Sequence, residues 1–275
     1  MNTKLQLTES TFGSQSSSKC DLLLQIGVNN ISYAVIEKGP EQLRSLCEVD
    51  GTLKDLEMLV AADATLGHDY RKVKISVDST RFTFIPQEVF SEFYIENYAK
   101  FIQPASTSDL LLNDIRAFSI KNLIAVESEI QNLLKKHFPT ATIFGQATPF
   151  IEGCWKVSKE TEKQQLFINL RPRHFEAVII KEEQLLFYNI FECQLPDEFN
   201  YFLLLLIRQF GLEAVNTKVM IAGTLEADCP FYPRLKKYFD DIQPADAGLL
   251  ATSSETFELI SLQPYFSLLS LNLCE

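Results

Sequence analysis

Apolar runs broken by Gly, Asn and Pro dominate the first part of the chain. Residues 21–27 read Asp-Leu-Leu-Leu-Gln-Ile-Gly; Val28-Asn29-Asn30 and a second apolar run at 31–36 follow. Two short runs around a Gly/Asn turn predict a β-hairpin. A third strand is expected at 43–49, after Lys38-Gly39-Pro40. Leu53, Leu56, Leu59 and Val60 share a helical face, so 53–66 reads as a helix. Val73, Ile75 and Val77 alternate with Lys74 and Ser76, as in a strand with two unlike faces. Residues 81–86 look extended, Pro86 opens a short turn through Phe90, and 91–101 reads as an amphipathic helix. Three short strands are expected near 109–112, 115–119 and 122–126. A helix at 127–138, a strand at 141–145 and a helix at 149–158 complete this half.

The pattern then starts again. Strands are expected at 165–170, 175–181 and 185–191, with the turn Arg171-Pro172-Arg173-His174 between the first two. A helix over 196–210 has Pro196 in its first turn, Asp197 and Glu198 against its dipole, and Gly211 to end it. A strand at 219–222, Gly223 and a helix near 233–239 follow. Laid on the first half at an offset of 144, Ile31-Ser-Tyr-Ala-Val-Ile-Glu-Lys38 meets Phe175-Glu-Ala-Val-Ile-Ile-Lys-Glu182. Gln25 then faces Asn169, Gly27 faces Arg171 and Asn30 faces His174. Glu41-Gln42-Leu43 matches Glu183-Gln184-Leu185 at an offset of 142. Shared element order across both halves indicates an internal duplication.

Two halves of strand hairpin, strand, helix and strand resemble the actin, sugar kinase and Hsp70 superfamily. The stretches Arg81-Phe-Thr-Phe-Ile-Pro-Gln-Glu-Val-Phe90 and Asn169-Leu-Arg-Pro-Arg-His-Phe-Glu176 are similar to a bacterial domain-of-unknown-function family with an actin-like fold. A more distant similarity is to the cytoplasmic actin-like proteins of pilus assembly. The resemblance implies an α/β (α+β) architecture: a duplicated ribonuclease H-like fold of two mixed-sheet subdomains, flanking helices and a central cleft. The expected division is a flexible tail at 1–20, a first subdomain at 21–160 with an insertion near 80–126, and a second at 161–275.

In that superfamily an acid at the end of the first strand of each half holds hydrated magnesium, and the following turn cradles phosphate. At those places this chain has the neutral amides Gln25 and Asn169. The first turn keeps Gly27 with Val28, Asn29 and Asn30. In the second turn, Arg171, Arg173 and His174 surround Pro172, which has no N–H to donate. The adenosine motif falls on Ile221-Ala222-Gly223-Thr224, with one glycine where two are expected. The resemblance therefore implies a vestigial nucleotide cleft, no bound metal and no catalytic residue. Arg171, Arg173 and His174 read either as an anion site or as a hairpin tip that is solvated, or salt-bridged in an acidic protein. Gly27 to Asn30 read either as a vestigial phosphate loop or as a turn using Gly and Asn for positive φ.

Composition narrows the function classes. A net charge of −11 disfavours broad contact with nucleic acid or anionic lipid. The six cysteines and three histidines show no ligand spacing, so a zinc site is not expected and reduced thiols are. No signal-like or membrane-length apolar segment stands out, and a cytoplasmic location is expected. Asp21, Asp50 and Asp78 are the acids a nuclease reading would need to converge. The leading expectation is a non-enzymatic scaffold that binds a protein partner, with no resident cofactor. Binding of ATP, ADP or an anion without hydrolysis is the alternative; an active ATPase or sugar-kinase-like phosphotransferase is more remote. The very apolar 198–210 and 259–273 are read as core, with a homodimer surface as the other use.

Overall fold

The computed structural model describes residues 2–158, 163–223 and 229–275. The chain forms two compact units. Unit 1 comprises Met1–Glu152, Leu250–Ile260 and Leu268–Glu275; unit 2 comprises Gly153–Leu249 and Ser261–Ser267.

Unit 1 begins with β1 (Thr3–Thr8), β2 (Cys20–Ile26), β3 (Asn30–Glu37) and β4 (Gln42–Asp50). A helix α1 (Leu56–Ala62) crosses to β5 (Lys72–Val77). Then come β6 (Phe82–Pro86), α2 (Ile95–Ala99), β7 (Leu110–Ile115), β8 (Ile120–Ala125), α3 (Ser128–His137), β9 (Thr142–Gly145) and α4 (Ala147–Val157), whose last turn passes into unit 2. The main sheet has the order β1-β4-β3-β2-β5-β9. β2 and most of β3 are buried throughout, as central strands covered on both faces must be. Leu22, Leu24, Ile26, Tyr33, Val35, Ile75 and Val77 build one core against Leu56, Leu59 and Leu134. The insertion forms its own sheet, β6-β8-β7, with a small core of Ile85, Ala99, Ile102, Leu123 and Ala125.

Unit 2 contains β10 (Gln164–Leu170), β11 (His174–Lys181), β12 (Gln184–Glu192), α5 (Pro196–Phe210), β13 (Thr217–Gly223), α6 (Tyr232–Leu235) and β14 (Asp241–Pro244). Its sheet order is β12-β11-β10-β13-β14. A final helix, α7 (Phe266–Ser270), follows in the chain. The offset of 144 holds at the level of hydrogen-bonded register. Gln25 pairs with Ser32 and Asn169 with Glu176. The β3–β4 register shifts between Val35 and Ile36, and the β11–β12 register between Ile179 and Ile180, the same place in each half.

Several expectations require correction. Residues 1–20 are not simply a tail: β1 pairs with β4, and Leu5 and Leu7 are half-buried where the Ser/Thr-rich composition suggested disorder. Residues 250–260 and 268–275 belong with unit 1, although the sequence assigned them to the second subdomain. Leu43 N–H donates to Thr252 O at 2.8 Å, and Lys74 Nζ donates to Asn272 O at 3.1 Å. The helix expected at 91–101 is a 3-10 turn, Glu92–Tyr94, followed by the five residues of α2. The strand expected at 115–119 is a 3-10 turn with Ser119 in the left-handed region. The helix expected at 53–66 is interrupted, with 3-10 turns on either side of α1. α5 runs over 196–210 as expected. It buries Phe199, Leu203 and Leu206 but leaves Tyr201, Leu204 and Leu205 exposed.

Asp109 joins the insertion to α3. Its Oδ1 accepts from the Ser128 backbone N–H at 2.9 Å and hydroxyl at 2.7 Å, and its Oδ2 from Ser106 N–H at 3.0 Å. The Ser128 hydroxyl, then the backbone donors, hold the Asp109 carboxyl below its ordinary value. A carboxyl depressed in the folded state stabilises above its unfolded pKa, and that contribution is lost as pH falls through the folded value. Asp109→Ala is therefore expected to lower the melting temperature at neutral pH. The difference from wild type should shrink below about pH 4 in melting curves taken across a pH series.

Candidate functional site

Both hairpin turns have the same construction. Gly27 N–H donates to Asn30 O at 2.9 Å, and Arg171 N–H donates to His174 O at 3.0 Å. Each is then tied to the end of its third strand: Gly51 N–H donates to Asn29 O, and Cys193 N–H to Arg173 O. Neither turn uses positive φ, contrary to the plain-turn reading of Gly27 and the asparagines. A Cβ at Gly27 would meet Asn30 Oδ1 at 2.4 Å, the end of a side chain that can move aside, and the nearest backbone atom, Asn30 O, at 3.4 Å.

In unit 1, Gln25 is buried, flanked in register by Ser32 on β3 and Ser76 on β5, both buried. The next residue in that row is Glu48 on β4, opposite Ser32, which accepts from Asn30 Nδ2 at 3.3 Å. Val28 and Asn29 are exposed at the turn tip.

In unit 2, Asn169 is also buried, but its neighbour is Glu176, which is fully buried. Asn169 Nδ2 donates to Glu176 Oε2 at 2.5 Å and to Ser267 Oγ at 3.0 Å. Tyr188 O–H donates to Glu176 Oε1 at 2.8 Å. Arg171 Nε lies 4.0 Å from Glu176 Oε2, and the Arg171 side chain is only 13% exposed. A buried carboxylate is tolerable when cations and donors surround it, and this one has both. Burial, then the Glu176 carboxylate, push the nearby Cys154 thiol well up, so it is not a poised nucleophile.

This arrangement corrects the anion-site reading in part. Arg171 turns inward to Glu176, while Arg173 is exposed at the tip and His174 half-buried at the start of β11. Gly223 has φ +75°, and a Cβ there would sit 2.1 Å from Leu170 O and 2.7 Å from Asn169 Oδ1. Its glycine identity follows from packing against β10. Thr224 lies outside the described residues. Glu176, Tyr188 and Ser267 were missed in the sequence; the available signal was a lone acid inside the apolar run Phe175-Glu176-Ala177-Val178.

The nuclease acids do not form a metal site. Asp21 begins β2 opposite Lys72, whereas Asp78 lies six residues further along the parallel strand, on the order of 20 Å away. Asp21 is buried against Arg71 at 2.5 Å, and Asp50 pairs with Lys4 at 3.0 Å. Among the described residues no three His, Cys, Asp or Glu side chains gather to hold a metal. Among the same residues no helix is long and apolar enough to cross a membrane.

Two mixed sheets, each an antiparallel three-strand meander extended by parallel strands, define an actin-like ATPase fold. The chain belongs to the family described as Protein of unknown function (DUF3822), whose model matches residues 9–242. A Bacteroides thetaiotaomicron VPI-5482 protein with actin-like ATPase fold and unknown function superposes with a TM-score of 0.79 at 20% identity, covering 97% of this chain and 100% of that one. The PilM-PilN type IV pilus biogenesis complex matches with a TM-score of 0.59 at 12% identity, covering 92% and 97%. Ethanolamine utilization protein EutJ from Carboxydothermus hydrogenoformans matches with a TM-score of 0.51 at 5% identity, covering 94% and 89%. No curated protein matches the sequence significantly.

Proposed function

We propose that this chain is a non-hydrolytic protein of actin-like fold that acts as a scaffold or adaptor for a protein partner. The observation that carries the reading is the Asn169–Glu176 contact. Where the fold would require an acceptor for hydrated magnesium, an amide NH2 stands instead, and both its donor hydrogens are committed within the protein. At the matching place in unit 1, Gln25 is neutral and buried. Pro172 leaves the second turn one N–H short. The shared register and bulge of the two halves favour an origin by duplication, with the same chemistry lost in each copy. The fold is compatible with a partner: one structure that shares it is a complex of PilM with PilN. Six free thiols, five of them buried, suit a reducing compartment such as the cytoplasm.

The expected result is no magnesium-dependent release of phosphate from ATP above a protein-free control. Turnover that disappears on substitution in either hairpin turn would overturn the proposal. Anion binding without hydrolysis keeps Arg173 but has Arg171 drawn to Glu176. Calorimetric titration with ATP, ADP and phosphate separates that reading from the scaffold, for which no heat of binding is expected.

A further inference from the structure

The two main sheets differ at one edge. In unit 1 the outer edge of β4 is covered by β1; in unit 2 the equivalent strand, β12, ends the sheet. β12 is nine residues long and contains neither Pro nor Lys, the usual guards of an edge. Its one irregularity is the bulge at Leu186, equivalent to Arg44 in β4. β1 shows how such an edge is filled. It pairs only beyond the bulge, from Thr8 opposite Ser45 to Thr3 opposite Val49. At the offset of 142 that stretch corresponds to 187–191.

The direction of the backbone carries over as well. Arg44 O accepts from Glu9 N–H, and Asp50 N–H donates to Asn2 O, so even-numbered residues of β4 face β1. Cys193 N–H points inward to Arg173 O, just as Gly51 N–H does to Asn29 O. Leu186, Ile190 and Glu192 therefore turn their backbone groups outward, and among the described residues no strand lies beyond β12. Charge completes the match. Lys4 on β1 reaches Glu48 at 3.4 Å and Asp50 at 3.0 Å. Asp50 corresponds to Glu192, which has no ion pair among the described residues. On the helix side, Phe187 and Phe191 make tilted ring contacts with Phe210 and Phe202, and the exposed Leu205 lies one turn from Phe202.

We propose that the outer edge of β12 docks an extended segment of a partner protein, a strand of alternating apolar residues with a Lys or Arg placed to meet Glu192. Strand addition of this kind takes its affinity from main-chain hydrogen bonds and its selectivity from side chains. A second copy of β12 fits poorly. Antiparallel self-pairing over 187–191 sets Glu192 of each copy opposite Leu186 of the other, so a second copy does not supply the cation that Lys4 offers Asp50.

This surface rests on the protein-binding reading and deepens it. The test is fluorescence anisotropy on the full chain with a labelled peptide that repeats residues 2–9. Binding is expected. Ile190→Pro removes an outward N–H without touching the ladder to β11, and Glu192→Lys reverses the docking charge; each should weaken binding about five- to tenfold. The Lys4→Glu form of the peptide should recover affinity for the Glu192→Lys chain. Absence of binding at about 1 mM peptide overturns the proposal. So does binding indifferent to both substitutions, which would indicate exchange with β1 at β4. Concentration-dependent dimerisation abolished by Ile190→Pro would give the edge to a second copy and overturn it too. Failed peptide binding without ATP turnover removes the edge and leaves the scaffold; turnover with peptide binding intact removes the scaffold reading and leaves the edge.

Discussion

Gly223→Ala is expected to destabilise the protein by about 2–5 kcal/mol in chemical denaturation, through two separable causes. The residue has φ +75°, a region where a Cβ costs about 1–2 kcal/mol. The new methyl would also lie 2.1 Å from Leu170 O and 2.9 Å from Leu170 N, backbone atoms of the central strand β10 that cannot swing aside. Gly39 supplies the control. Its φ is +103° and a Cβ there meets nothing within 4 Å, so Gly39→Ala should show the backbone cost alone. Equal effects at the two positions would mean that contact with β10 is not what requires glycine at 223.

Asn169→Asp, which puts an acid at the end of β10, is expected to cost about 3–5 kcal/mol at neutral pH. The 2.5 Å contact between Asn169 Nδ2 and Glu176 Oε2 becomes one between two carboxylate oxygens in a fully buried place. Two carboxyls so close share a proton, which raises the pKa of the pair above its unfolded value. Groups raised in this way recover stability as pH falls, so the deficit should narrow in acid. Adding Glu176→Gln should rescue most of the loss at neutral pH, because the amide then donates to the new aspartate. A single variant as stable as wild type at every pH would contradict the buried geometry.

Much of the fold was legible. α5 spans the residues its caps and periodicity indicated, and both hairpins fall where Gly27-Val28-Asn29-Asn30 and Arg171-Pro172-Arg173-His174 break the apolar runs. Other elements were not. β14 is four residues long with little apolar signal, and it exists because β13 offers it a parallel edge. β1 looked like a polar tail because its two leucines pack on a strand some forty residues away. Of the candidate site, the neutral amides and the missing N–H could be read directly. The inward turn of Arg171 could not, since it depends on a buried acid in the neighbouring strand.

The sequence by itself determined the local structure: strand and helix periodicity, turn positions, and the repeated order of elements in two halves. These follow from steric and hydrophobic preferences spanning a few neighbouring residues. Only the tertiary structure decided which strand covers which edge, where the C-terminal residues return, and that Asn169 donates to Glu176. Each of those depends on groups brought together from distant parts of the chain, where burial sets whether a charge is paired and an edge is filled. The same dependence leaves β12 as the long edge that nothing described in this chain covers.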